Sequence, residues 1–146
     1  MIRKPQPSDL GRILELCALH AAFEQADFDR KGKEKALAQA LFSSPPLLHC
    51  LLIEYEGTVE AYASFLPQYS TWDAAHYLYL DCLFLTKRIR GKGYGKQLMQ
   101  AVHQVARQLD CYEIQWQTPD FNQRAIEFYQ RLGAQAKSKE RFFWQI

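Results

Sequence analysis

Between Lys87 and Lys96 the chain places five cations and three glycines, in the run Lys87-Arg88-Ile89-Arg90-Gly91-Lys92-Gly93-Tyr94-Gly95-Lys96. Cations interleaved with glycine suit a phosphate or diphosphate. Glycine lets the backbone approach a ligand and reach positive φ, while free N–H groups at a helix start attract an anion. Two phosphate-binding patterns fail here. G-x-G-x-x-G is broken by Lys96 at its sixth place, and a P-loop would need a glycine five places after Gly91. The spacing that holds is R-x-x-G-x-G, through Arg90, Gly93 and Gly95. Read alone, the run also fits a basic surface turn that opens a helix.

A second candidate group lies about thirty residues downstream, in Pro119-Asp120-Phe121-Asn122-Gln123-Arg124-Ala125-Ile126-Glu127-Phe128-Tyr129-Gln130-Arg131-Leu132-Gly133-Ala134. Asn122 is a good helix cap, Ala125, Ile126, Phe128, Tyr129 and Leu132 follow helical spacing, and Gly133 is a good stop. Read alone, this is an ordinary amphipathic helix with Tyr129 as a core aromatic.

These groups need a strand and two helices to hold them. Ala75 to Leu85 is rich in Tyr, Leu and Phe and reads as a strand. Leu98, Met99, Val102, Val105, Ala106 and Leu109 recur at helical spacing from Gly93 to Leu109. The glycines therefore occupy a strand-to-helix turn. Upstream, Ile2 to Lys4 reads as a first strand, and Ser8 as the cap of a helix with Leu10, Ile13, Leu14, Cys17, Ala18 and Ala21 on one face. Asp27 to Gly32 reads as a turn, and Lys33 to Phe42 as a helix stopped by Ser43-Ser44-Pro45-Pro46. Leu47 to Tyr55 and Thr58 to Gln68 read as a hairpin about Glu56-Gly57. Glu113 to Thr118 makes a later strand, and Ala134 to Lys137 and Arg141 to Gln145 terminal ones. The class is α/β, a mixed and mostly antiparallel central sheet flanked by helices, in the order βααβββαβαββ.

The two motifs, in this order and at this separation, resemble the GNAT superfamily of N-acetyltransferases. The likeness covers almost the whole chain and is most specific between Tyr77 and Gly133. It implies the GNAT fold over a single domain, residues 1–146, with acetyl-CoA as co-substrate and no metal. It further implies that Leu83, Phe84 and Leu85 pair their backbone with the pantetheine arm and offer an N–H to the thioester oxygen. Arg90, Gly91, Lys92, Gly93, Tyr94, Gly95 and Lys96 would hold the pyrophosphate, Asn122 and Ala125 would line the cofactor's other side, and Tyr129 would protonate the leaving sulfur.

Acetyl transfer to an amine also needs a proton removed, because an alkyl ammonium with a pKa of about 10.4 is almost wholly charged at neutral pH. Asp81 is the candidate for that side of the reaction: it is the only charge in Tyr77 to Leu85, and strict alternation would put it on the same face as Leu83. The other reading is a strand-end aspartate paired with a local arginine. Phe23-Glu24, Tyr69-Ser70-Thr71-Trp72-Asp73, Tyr79-Leu80-Asp81 and Phe142-Phe143-Trp144 resemble the diamine (spermidine/spermine) and thialysine acetyltransferase branch. That resemblance puts Phe23, Glu24, Trp72 and Asp81 in the acceptor site. Where that branch tends to carry an acid after the Asp81 position and another before the tryptophan, this chain has Cys82 and Ser70-Thr71. Polycation attraction is correspondingly weaker, and a monoamine, an amino acid derivative or an aminoglycoside stays open.

Composition limits the alternatives. The 146 residues, 48% hydrophobic, suit one core. A net charge of +2 is too slight for a nucleic-acid polycation, and Tyr94 is the basic run's one stacking aromatic. Cys17, Cys50, Cys82 and Cys111 are widely spaced in apolar segments and read as reduced core thiols. Histidines 20, 49, 76 and 103 lack metal spacing. No leader-like run opens the sequence and no stretch approaches the roughly 18 apolar residues of a membrane span, so a cytoplasmic enzyme without membrane or nucleic-acid partners is expected. The resemblance also implies a homodimer. Rival readings are a protein or peptide N-acetyltransferase and a non-catalytic coenzyme A sensor.

Overall fold

The computed structural model describes residues 1–146. Its sheet runs β1 (Ile2–Arg3), β2 (His49–Tyr55), β3 (Thr58–Ser70), β4 (Ala75–Leu85) and β5 (Ile114–Gln115), in that spatial order. The first four pair antiparallel, and β5 joins β4 in parallel. Helices α1 (Leu10–Phe23), α2 (Lys33–Phe42), α3 (Tyr94–Gln108) and α4 (Gln123–Arg131) complete it.

Central strands β2 and β3 are near-continuous apolar runs because both their faces are covered. Leu51, Ile53, Ala61, Ala63, Phe65, Leu78 and Leu80 pack against Leu98, Met99, Val102 and Ala106 of α3. Cys50, Leu52, Val59, Tyr62 and Phe84 meet Leu10, Ile13 and Leu16 of α1 and Leu41 of α2 on the other face. The β2–β3 turn has Glu56 at φ 49° and Gly57 at φ 75°, the two positive angles of a tight hairpin.

Three expectations need correction. Ser8 does not cap α1: a 3₁₀ turn, Pro7–Asp9, precedes that helix, and Asp9 accepts from the Gln6 N–H at 2.7 Å while binding Arg3. The expected strand from Glu113 to Thr118 is reduced to Ile114–Gln115. The terminal strands, Ala134 to Lys137 and Arg141 to Gln145, do not form. A strand needs a ladder partner and a face to bury, and this segment has neither. Its Lys137 to Arg141 stretch is charged, and Phe142, Phe143 and Trp144 are 90%, 78% and 96% exposed. The observed order is therefore βααβββαβα.

Candidate active site

The turn after β4 is anchored by Glu60 of β3. Its carboxylate accepts from the Thr86 hydroxyl at 2.6 Å and from Arg88 at 2.9 Å, and its backbone carbonyl accepts from the Thr86 N–H at 2.9 Å. Burial alone would raise the Glu60 pKa, but these donors and the Arg12 charge hold it below the ordinary range. Gly91 and Gly93 follow at φ 77° and 84°, and a Cβ on either would meet nothing within 4 Å. Their need for glycine is conformational, and open space lies above them. Gly95 differs: a Cβ there would lie 3.1 Å from Phe128 Cζ, so this glycine serves packing between α3 and α4.

The cations of the run diverge. Arg88 pairs with Glu56 and Glu60 over the Tyr55 ring, and the Lys92 ammonium sits 4.9 Å from that ring's centre. Tyr94 packs edge-on to Tyr55, and Lys96 lies exposed on α3. Arg90 turns the other way. Its Nε donates to Leu85 O at 2.7 Å, and its guanidinium lies 4.8 Å over Phe23 and 5.3 Å over Phe84. Burial lowers the Arg90 pKa and the charge of Arg124 on α4 lowers it further. Two guanidiniums thus share a region of positive potential, an arrangement that an anion stabilises.

Strand β4 carries a bulge at Asp81. Ser64 faces Cys82 and Phe65 faces Leu80, leaving Asp81 without a partner. Alternation is interrupted there: Leu78 and Leu80 before the bulge, and Leu83 and Leu85 after it, all pack toward α3, whereas Cys82 and Phe84 pack toward α1. The pairing of Asp81 with Leu83 on one face therefore does not hold as strict alternation has it. Asp81 is exposed, and Cys82 Sγ approaches its carboxylate at 3.5 Å. On the side away from β3, β4 pairs with β5 only at Leu78 and Tyr79. From Leu80 to Leu85 that edge has no strand beside it, and apart from the Leu85 carbonyl, which Arg90 holds, it can take an extended ligand. Phe84 can contribute only backbone, because its ring is buried.

On α4, Asn122 Oδ1 accepts from Ala125 N at 3.2 Å, so the side chain acts as the helix cap. Tyr129 lies against Trp116 at 5.1 Å and Phe128 at 5.3 Å. Burial pushes its phenol up to about 12 and the Glu24 charge adds to the rise, while a hydrogen bond with Thr118 works the other way. At neutral pH the Tyr129 phenol keeps its proton. Glu24 caps the end of α1 and accepts from His20 Nε2 at 3.1 Å. Arg90, Phe23, Phe84, His20 and Glu24 thus form one neighbourhood where α1, the loop and β4 meet, and the Glu24 charge is felt at Tyr129 of α4. Trp72 does not join it: at the tip of the β3–β4 hairpin it is 98% exposed and packs against none of them.

The sequence reading missed Glu60, Arg124 and His20. Glu60 gave a signal of the same kind as Asp81, a lone acid in an apolar strand, whereas Arg124 and His20 matter through neighbours distant in sequence. The cavity of about 330 Å³ lined by Leu41, His49, Phe65 and Val105 contains none of the site residues. No cluster of three or more potential ligands suits a metal ion, and no helix is long and apolar enough to cross a membrane.

Residues 13–134 match the model of the acetyltransferase (GNAT) family. The chain belongs to that family. It is accordingly an N-acetyltransferase. It is 32% identical to thialysine N-epsilon-acetyltransferase of Bos taurus over 143 residues, covering 92% of this chain and 84% of that one. Over 84 residues it is 33% identical to spermine/spermidine N(1)-acetyltransferase of Bacillus subtilis, covering 56% and 55%. Among solved structures, an aminoglycoside acetyltransferase from an uncultured soil metagenomic sample superposes with a TM-score of 0.81 at 16% identity, over 100% of this chain and 95% of that one. This last similarity is one of fold.

Proposed function

We propose that the protein moves the acetyl group of acetyl-CoA to a primary amine of a small molecule, by direct attack within a ternary complex. The observation that carries this reading is Tyr129, a half-buried phenol packed on Trp116 and Phe128 that keeps its proton at neutral pH, together with the stretch of β4 that has no strand on its outer side. The amine attacks the thioester carbonyl, and a backbone N–H of Leu83 to Leu85 stabilises the oxygen that becomes negative. The C–S bond then breaks as Tyr129 gives its proton to the departing sulfur, and the amine's extra proton leaves by way of Asp81 and water. Arg90 and Arg124, with the backbone at Gly91 and Gly93, hold the pyrophosphate.

The acceptor we favour is a short aliphatic amine carrying a second cationic group, of the thialysine or diamine kind. The thialysine relative supports it by its 92% coverage of this chain, and Glu24 by its charge. We place the enzyme in the cytoplasm, where its four free thiols stay reduced, and as a homodimer in which the exposed Phe142, Phe143 and Trp144 are covered. Free-thiol release from acetyl-CoA across thialysine, lysine, spermidine, putrescine, an aminoglycoside and short peptides tests the reading. Turnover with a small amine supports it. Turnover with peptides alone transfers the protein to the peptide class, and coenzyme A binding without turnover would make it a sensor.

A further inference from the structure

His20 joins three elements of the fold, α1, β3 and β4. It projects from α1, its ring stacks on Phe84 of β4 with centroids 5.2 Å apart and planes 24° from parallel, and its Nδ1 lies 3.1 Å from the Tyr62 hydroxyl of β3. One turn on, its Nε2 lies 3.1 Å from Glu24 Oε1. A surface i,i+4 pair contributes little. This one is not a surface pair: the His20 side chain is 15% exposed and its other nitrogen is fixed from a strand 42 residues away.

The polarity of the chain follows from the partners. Burial drives the Tyr62 phenol far above its ordinary pKa, so it is protonated, and the thiols of Cys17 and Cys82 flank its oxygen. A carboxylate can only accept, so Nε2 carries the hydrogen that reaches Glu24. Nδ1 of the neutral ring is then the acceptor for the Tyr62 hydroxyl. Glu24 meanwhile sits at the C-terminal end of α1, where the helix dipole disfavours a negative charge. It is only 35% exposed and close enough to Tyr129 to raise its pKa. A carboxylate held there against the dipole suits a cation in the site.

We propose that His20 is a positioning residue for the acceptor: through Nε2–H it fixes the Glu24 carboxylate to receive the acceptor's second cationic group, and Tyr62 locks the ring in that tautomer. The assignment rests on the acetyl-transfer reading above. It makes His20 a determinant of which amine is used rather than a participant in the chemical step. The acceptor class it selects is a primary amine with a second positive charge on a short chain.

Two measurements test it. Nitrogen-15 NMR of the wild-type protein, with no substrate present, should find the neutral His20 ring protonated at Nε2, and a ring protonated at Nδ1 overturns the proposal. In kinetics, His20→Leu should raise the KM of thialysine or putrescine about tenfold while kcat changes little. The KM of a monoamine such as propylamine, and that of acetyl-CoA, should stay near wild type. His20→Gln, which keeps a donor for Glu24, should recover most of the loss. In a Glu24→Gln background the His20→Leu effect should vanish. An equal KM rise for mono- and dicationic acceptors, or an undiminished effect without the Glu24 charge, overturns the assignment. A wild-type protein inert toward every amine but with the Nε2 tautomer intact would instead sink the small-amine reading, and with it the substrate role of Glu24.

Discussion

A Cβ placed on Gly95 would stand 3.1 Å from Phe128 Cζ and 3.8 Å from Leu85 Cδ2. Through this contact the first turn of α3, the end of β4 and the helix bearing Tyr129 are set against one another. Phe128 is the neighbour of Tyr129 in sequence and 5.3 Å from it ring to ring. The loop's three glycines thus have two jobs, with Gly91 and Gly93 supplying left-handed backbone and Gly95 supplying close approach.

These jobs predict different failures. Gly95→Val should force Phe128 aside, an overpacking cost of about 1–3 kcal/mol, and reduce kcat by displacing Tyr129 while acetyl-CoA affinity falls less. Gly93→Val meets no neighbour but must hold φ 84°, and its side chain intrudes where the pyrophosphate would approach. It should therefore weaken acetyl-CoA binding most. Calorimetry with acetyl-CoA separates the two, and wild-type affinity in Gly93→Val would remove the loop from the phosphate site.

Tyr129→Phe deletes one hydroxyl and should lower turnover by about 10²–10⁴-fold, with acetyl-CoA binding largely kept. The pH dependence has a definite sign. Burial raises the folded phenol from an unfolded value of about 10 to about 12, so its contribution to stability is complete below pH ~10 and is lost as pH rises through 12. Denaturant melts should therefore show wild type losing stability relative to the Phe variant as pH rises between these limits. Full activity in the Phe variant would mean that another group protonates the sulfur.

Much of this site could be read before folding, and the reason is local. The helix from Lys33 to Phe42 is marked by its flanking glycine and prolines. The loop and the Asn122 cap carry their meaning in consecutive residues. The bulge at Asp81 was missed although the leucines change phase there, from Leu78 and Leu80 to Leu83 and Leu85; that this is a slip in pairing, with Ser64 and Phe65 opposite Cys82 and Leu80, is a property of two strands together. The failed terminal strands have the same origin, because Phe142-Phe143-Trp144 has strand propensity but no ladder to join. His20 looked like one more residue on a helix until Tyr62 and Phe84 arrived from elsewhere in the chain.

Arg124 tests the electrostatics of the loop. If its charge and that of Arg90 share one anion, Arg124→Ala should weaken acetyl-CoA binding by up to about tenfold, with kcat at saturation little changed. Rising salt should narrow the gap between wild type and variant, since screening removes what the substitution removes. Unchanged affinity at low salt would assign Arg124 to the solvent instead.

Glu60→Gln should loosen the loop from beneath. The carboxylate is 6% exposed and accepts from Thr86 and Arg88 with a further charge contact to Arg12. An amide of the same size keeps one acceptor and turns a donor toward groups that also donate, so the loss should be about 2 kcal/mol. Because the folded pKa is depressed, the stability Glu60 contributes is present above its unfolded value of about 4.3 and is lost as pH falls through the folded one. Urea melts at pH 7 should therefore separate wild type from variant, and the gap should narrow as pH falls below about 4.3. The KM for acetyl-CoA should rise several-fold, since the turn that places Gly91 and Gly93 begins at Thr86. A variant as stable as wild type at pH 7, with unaltered KM, would show that the loop holds its shape without this anchor.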